Sequence, residues 1–287
     1  MKPKWSLSRL LIGLFLLAVA VVTLYPFLYM ISVSLSSDVH VIKNEISLLP
    51  KGLNFNAYQV VLHDDRIWTS YRNTILYVAV GAPLSLLITA AGAYALSKKE
   101  MMFHKSLTLM IVFTMFFNGG MIPTFLVVKS LGLVDSFWSM ILPSAISTWN
   151  LIIMRTFFLG LPKELEESGK LDGLTEIGIF TRIVLPLSTA SLATIGLFYA
   201  VGIWNNFYSA LLYLRNDQLY PLQVVLRNIV MASQMVLNGG SNVGDNQVLD
   251  EPLKYATIIV STVPILLIYP FLQKYFVKGA LIGSVKG

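Results

Sequence analysis

Long apolar runs separated by short polar segments dominate this chain. Six can be marked, at roughly 10–36, 74–97, 106–128, 136–158, 188–213 and 255–273. Each is near or above the roughly 20 residues that a helix needs to cross a bilayer. Ionised side chains are scarce inside them. Arg155 is the exception, close enough to the end of the fourth run to snorkel towards the headgroups. Runs this long and continuous predict helices, because the strands of a barrel would alternate over about 10 residues. The pattern therefore predicts an all-α membrane protein of six transmembrane helices, in a single transmembrane domain over residues 1–287.

The polar segments differ in kind. Residues 159–187 are densely charged and lie between two apolar runs. Pro162 suits the first turn of a helix, and Glu164, Glu166 and Glu167 follow near its positive end. Asp172-Gly173 signals a turn, Thr175 is placed to cap a second helix, and Ile177, Phe180 and Val184 recur at helical spacing. Pro186 then ends that helix. Ser168 and Gly169 leave a nearly bare strip on the first helix, open to close approach by a groove. Such a hairpin is either an amphipathic connector on the membrane surface or a docking element for a soluble partner. The other long polar segments are 37–73 and 214–254; the second holds Asn238-Gly239-Gly240-Ser241-Asn242, a loop-tip composition.

Lys and Arg set the orientation. With the N-terminus inside, the inner segments carry Lys2, Lys4, Arg9, Lys98, Lys99, Lys105, Lys163, Lys170 and Arg182, and Lys274, Lys278 and Lys286 come after the last run. The outer segments hold acids such as Asp38, Asp64, Asp65 and Asp135. Both termini and the 159–187 hairpin are therefore expected in the cytoplasm. Ala18-Val19-Ala20 resembles a signal-peptide cleavage site. The apolar run continues to about Ser34, however, which favours a retained helix.

Composition narrows the function. Only 13% of residues are charged, against about 25% in soluble domains, and the mean hydropathy is +0.70. The net charge of +6 sits mainly at the ends of apolar runs, which argues for topology and against nucleic acid. Cysteine is absent, and His40, His63 and His104 have no ligand spacing, so no metal site or thiol nucleophile is expected. Gly169-Lys170 is followed by Leu171 and is no phosphate loop. An enzyme would need a catalytic cluster, and none is found. One class that remains is a secondary transporter of a polar solute. That class normally shows an intramembrane acid or base, or an internal repeat.

The hairpin spacing is similar to a known one. Glu167, Gly173, Ile183, Leu185 and Pro186 fall in register with the EAA motif of ABC-importer permeases, Glu-Ala-Ala, three residues, Gly, nine residues, Ile-x-Leu-Pro. Ser168 and Gly169 stand where that motif has two alanines. With Leu171-Asp172-Gly173, Trp204-Asn205-Asn206-Phe207 and the ending Phe276-Val277-Lys278-Gly279-Ala280, the chain resembles carbohydrate permeases of the maltose type. Relatives often carry an acid where Asn206 stands. The resemblance implies the type I ABC-importer permease fold. It implies as partners a second homologous permease, two ATPase subunits that bind ATP and Mg, an extracytoplasmic solute-binding protein and an oligosaccharide. This chain would hold no cofactor of its own and would lie in a bacterial or archaeal cytoplasmic membrane, in contact with lipid. Coupling to the ATPase would fall to Glu166, Glu167, Ser168, Gly169, Asp172, Gly173, Ile183, Leu185 and Pro186. Lys278, Gly279, Lys286 and Gly287 of the C-terminal tail would lie along the ATPase.

A substrate path draws on other residues. Asn118-Gly119-Gly120 before Pro123 predicts a broken helix, tolerated where backbone faces protein or water. Trp149-Asn150 and Trp204-Asn205-Asn206-Phe207-Tyr208 pair flat rings with amides, a combination that suits sugars. The same rings also serve as core or interfacial belt, and the same amides as interhelical hydrogen-bonding groups.

Overall fold

The computed structural model describes residues 7–117, 119–237 and 251–267, with backbone alone at 9 and 232–237. Every regular element among them is helical. The order is α1 (Leu7–Ser34), α2 (Asp38–Ile42), α3 (Asn56–His63), α4 (Asp65–Ser97), α5 (His104–Phe116), α6 (Met121–Ser130), short turns at Phe137–Met140 and Leu142–Ser144, α7 (Thr148–Leu159), α8 (Lys163–Leu171), α9 (Glu176–Leu187), α10 (Thr189–Trp204), α11 (Tyr208–Tyr213), a turn at Asp217–Leu219, α12 (Leu222–Leu237) and α13 (251–267).

Among the described residues α1 and α4 are long and apolar enough to cross a bilayer unaided, and up to five spans result if each bent pair counts as one. The apolar run at 255–273 is described only as far as 267. Three runs are interrupted, one where the sequence predicts a broken helix and two where it predicts continuity. The break between α5 and α6 falls at Gly119-Gly120, where Gly120 takes φ 89°. The 136–158 run opens with two tight turns and bends by 53° before α7. The 188–213 run breaks between α10 and α11 at Asn205-Asn206-Phe207. Amides cause this last break. Asn205 Nδ2 donates back to the Val201 carbonyl at 3.0 Å, and Asn206 Oδ1 accepts from the Ser209 amide at 3.1 Å. Such local bonds compete with the helical ladder.

The described residues form two compact units, one comprising the chain up to Trp68 with Val225–Pro264, the other Thr69–Val224 with the residues after 264. In the first, serines tie the end of α1 to the loop and helix C-terminal to it. Ser32 Oγ donates to the Leu48 carbonyl at 2.6 Å, and Ser34 Oγ meets the Tyr58 hydroxyl of α3 at 2.8 Å. The rest of α1 is exposed along most of its length, as suits a helix facing lipid or another subunit.

The second unit contains the core that matters for function. Ala90, Ala93 and Tyr94 of α4, Leu151, Met154 and Phe158 of α7, Ile179 and Val184 of α9, and Ile195 and Tyr199 of α10 are buried together. The small α4 residues allow close helix approach. Polar groups in this core are satisfied across helices. The Tyr199 hydroxyl meets Thr89 Oγ1 at 2.6 Å and accepts from the Ser147 amide at 2.9 Å, just before α7. Arg155 reaches the facing ends of α4 and α5. Its Nε donates to the Leu96 carbonyl at 2.8 Å, and its other end meets His104 Nε2 at 3.2 Å. A cation there satisfies an orphan carbonyl at the C-terminus of α4.

Candidate functional site: the charged hairpin and the helix break

The α8–α9 hairpin is built as its sequence dictates. Pro162, at φ −60°, precedes the first residue of α8, and Glu164 and Glu166 occupy the first turn. The far end closes with two reversed bonds, from the Leu174 amide to the Gly169 carbonyl at 2.9 Å and from the Gly173 amide to the Lys170 carbonyl at 3.0 Å. This is a Schellman closure, and it needs a left-handed residue, which Gly173 supplies at φ 78°. Thr175 Oγ1 then accepts from the Gly178 amide at 3.2 Å and caps α9.

Packing turns part of the hairpin inwards. A Cβ on Gly169 would lie 2.8 Å from Ile183 Cδ1 and 3.3 Å from Ile179 Cγ1. The bare strip expected to face a partner's groove at Gly169 thus faces α9 instead. Ile183 and Leu185 are half-buried, while Glu167, Ser168, Asp172, Gly173 and Pro186 are exposed. The apolar edge expected from Ile177, Phe180 and Val184 also divides. Val184 is buried, whereas Ile177 is 76% exposed. A widened turn over Phe180–Val184 rotates the later residues relative to the earlier ones. It sits just before Pro186, which has no amide to continue the ladder. Leu171, at 90% exposure, is likewise exposed.

Charges fix the hairpin to α4. Lys98 Nζ is bonded to Glu166 and lies 3.6 Å from Glu176 Oε2. The Tyr94 hydroxyl donates to Glu176 Oε2 at 2.8 Å, and Lys170 Nζ stands 2.9 Å from Glu176 Oε1. Lys98 also lies 4.4 Å from the centre of the Tyr94 ring, a cation–π distance. Burial pulls the Lys98 pKa down, but its bonds to Glu166 and Tyr94 outweigh that and hold it above the ordinary lysine value. Hydrogen bonds from Lys170 and Tyr94 hold the Glu176 carboxyl below its ordinary value. The sequence singled out Glu166 but neither Lys98, Tyr94 nor Glu176 as site residues.

At the helix break, Trp204 is 7% exposed and stands edge-on to Tyr71 at 6.4 Å. Its Nε1 has no hydrogen-bond partner among the described residues. Asn205 is exposed, Asn206 Nδ2 donates to Ser209 Oγ at 3.0 Å, and the Tyr208 hydroxyl meets Met121 Sδ at 2.8 Å. Asn205 and Asn206 therefore bond within their own segment, while Tyr208 reaches α6. Trp149 is 63% exposed and Asn150 is 6% exposed in the first turn of α7. Nearby, α4 grips the chain after α11. Asn73 Nδ2 donates to the Gln218 carbonyl at 2.6 Å, and the Tyr77 hydroxyl to the Leu219 carbonyl at 2.8 Å. Asn118, the 238–242 loop tip and the tail residues Lys278, Gly279, Lys286 and Gly287 lie outside the described residues.

Residues 88–282 match the family model described as "Binding-protein-dependent transport system inner membrane component", which covers well over half of the chain. The chain belongs to this family. It is 44% identical over 285 residues to the polygalacturonan/rhamnogalacturonan transport system permease protein YtcP of Bacillus subtilis (strain 168), covering 99% of this chain and 100% of that protein. Protein LplC of the same organism is 45% identical over 274 residues, covering 96% and 93%. Among solved structures, a chain of a bacterial ABC transporter involved in the import of the acidic polysaccharide alginate superposes with a TM-score of 0.84 at 36% identity. The match covers 96% of this chain and 100% of that one. The permease is thus a membrane-embedded, all-α, non-catalytic component of an ABC-type sugar importer. The secondary-transporter alternative falls with that membership. Among the described residues no group of His, Cys, Asp or Glu could hold a metal ion.

Proposed function

We propose that this permease is one of two homologous permeases in a type I importer of the maltose kind. Its cargo would be oligosaccharides cut from acidic polysaccharides, delivered by an extracytoplasmic binding protein. Six helices would line half of the path, with both termini in the cytoplasm of a bacterium or archaeon. Two ATPase subunits would bind ATP and Mg, and one of them would receive the α8–α9 hairpin through Glu167, Leu171, Asp172 and Ile177. Closure of the ATPase pair would push the hairpin and rock the helices between inward- and outward-facing states. The C-terminal tail would lie along the ATPase, and the 214–254 loop would meet the binding protein.

The observation that carries this reading is the two-sided hairpin. Its inner face is built into the core of the transmembrane helices through Ile179 and Val184. Away from that core, Leu171, Ile177, Glu167 and Asp172 are all exposed. Charge at that density does not enter lipid, and apolar side chains at that exposure are poorly placed in water. A polar-rimmed groove on a soluble protein satisfies both. The acidic cargo is supported by the 36% identical alginate importer and by a 44% identical permease named for polygalacturonan and rhamnogalacturonan.

The test is uptake into liposomes holding the permease pair, the ATPases and the binding protein. We expect ATP-dependent uptake of oligogalacturonate or oligoalginate, at least about tenfold faster than of malto-oligosaccharides of equal length, a difference of roughly 1.4 kcal/mol. Equal uptake of the neutral sugars would overturn the acidic cargo. Uptake that needs no ATP would overturn the coupling.

A further inference from the structure

The hairpin has three kinds of connection to the transmembrane helices. The chain itself joins α7 to α8 through Gly160-Leu161-Pro162, and joins α9 to α10 through a bend of 84°. Buried side chains join α9 to the core, among them Ile179, Val184 and the Phe180 ring 5.0 Å from Tyr94. The third connection is polar: the Tyr94 hydroxyl of α4 donates to Glu176 of α9 at 2.8 Å, and an ammonium joins both arms. Lys98, just beyond the last residue of α4, meets one acid from each arm of the hairpin, Glu166 of α8 and Glu176 of α9. No backbone link runs directly from α4 to either arm. A force applied to the hairpin reaches α4 through side chains.

We propose that Lys98 is a positioning residue that staples both arms of the hairpin to α4, so that hairpin motion drives α4 during transport. The proposal rests on the coupling role given to the hairpin above. Contacts other than those of Lys98 also hold the two arms together. The reversed bonds at Gly173, the Gly169–Ile183 packing and the Lys170–Glu176 pair already join its arms. The outward side chains Glu167, Leu171, Asp172 and Ile177 stand apart from the bonds that Lys98 makes to Glu166, Glu176 and Tyr94. Removing the ammonium therefore spares the docking face and loosens the joint behind it. The side chains of Lys98 and Glu166 are only 25% and 24% exposed, so water does not readily replace the bond. The Tyr94 ring beneath the ammonium restricts it further.

The experiment compares Lys98→Met, which keeps the stem and deletes the charge, with Lys98→Arg, which keeps the charge and can reach both carboxylates. The complete importer is reconstituted in liposomes. Three quantities are measured: ATPase subunit recovered with the permease, ATP hydrolysed, and substrate imported per ATP. We expect Lys98→Met to retain the ATPase subunit and its hydrolysis, while import per ATP falls about fivefold or more, the low end of an allosteric coupling. Lys98→Arg should restore most of that ratio. An unchanged ratio in Lys98→Met overturns the proposal, as does an equal defect in both variants. Loss of the ATPase subunit from Lys98→Met also overturns it, because the residue would then support docking and not transmission. Failure of the docking reading looks different: charge reversal at Glu167 would leave subunit recovery and stimulated hydrolysis untouched.

Discussion

Gly169 shows what single residues decide in this hairpin. Its hydrogen atom occupies the space in which a Cβ would sit 2.8 Å from Ile183 Cδ1. The obstructing atom is the free end of a flexible side chain, so one methyl group can be accommodated by rotation. A helix also gains about 1 kcal/mol when Gly becomes Ala, which offsets much of the crowding. Gly169→Ala should therefore change the melting temperature of the complex by no more than a few degrees and leave transport near normal. Gly169→Val adds branches that cannot all turn away, and overpacking of that kind costs about 1–3 kcal/mol. It should open the hairpin to limited proteolysis near Gly173. Equal protease resistance in the two variants would show that α8 and α9 are not in close contact at Gly169. The turn residue Gly173 differs from Gly169, since its Cβ would meet nothing within 4 Å and only its φ of 78° excludes other residues.

Among the elements, the helix break at Asn205-Asn206-Phe207 is the one we propose to border a sugar path. Trp204 ends α10 with its indole Nε1 unpartnered among the described residues, in a 7% exposed setting. A buried donor left without a partner costs about 1–3 kcal/mol, and a sugar hydroxyl would remove that penalty. Trp204→Phe keeps a flat ring and deletes the donor. It should preserve complex yield and melting temperature while changing the relative uptake rates within an oligosaccharide panel. A destabilised complex with an unaltered panel would assign Trp204 to packing. The elements also show which parts of the fold were legible in the sequence. Gly119-Gly120, Asp172-Gly173 and Thr175 act through their own backbone, so their break, turn and cap could be read locally. The break after Trp204 was hidden, because Asn205 and Asn206 sit in an otherwise apolar run and only their bonds to Val201 and Ser209 interrupt it. The Lys98 staple was also hidden. Its partners are 68 and 78 residues away, and nothing local in the sequence pairs them. The partners of Arg155 were hidden for the same reason, since its carbonyl acceptor, Leu96, belongs to another helix.

Across the whole molecule, the α8–α9 hairpin and the transmembrane helices are expected to move together because they share a core. Ile179 and Val184 belong to the cluster that holds Ala90, Met154 and Ile195. A packed cluster shifts as a body more readily than it deforms. In the proposed function, the outward face of the hairpin is where an ATPase would push. Glu167 tests this most directly, because it is exposed and takes no part in the Lys98 network. The deciding measurement is ATP hydrolysis by the reconstituted Glu167→Lys importer, with and without loaded binding protein, alongside the yield of inserted permease. We expect normal insertion, hydrolysis that no longer rises when binding protein is added, and import reduced by about tenfold or more, equivalent to roughly 1.4 kcal/mol of lost coupling. Stimulation and import equal to those of the unaltered protein would refute coupling through the hairpin.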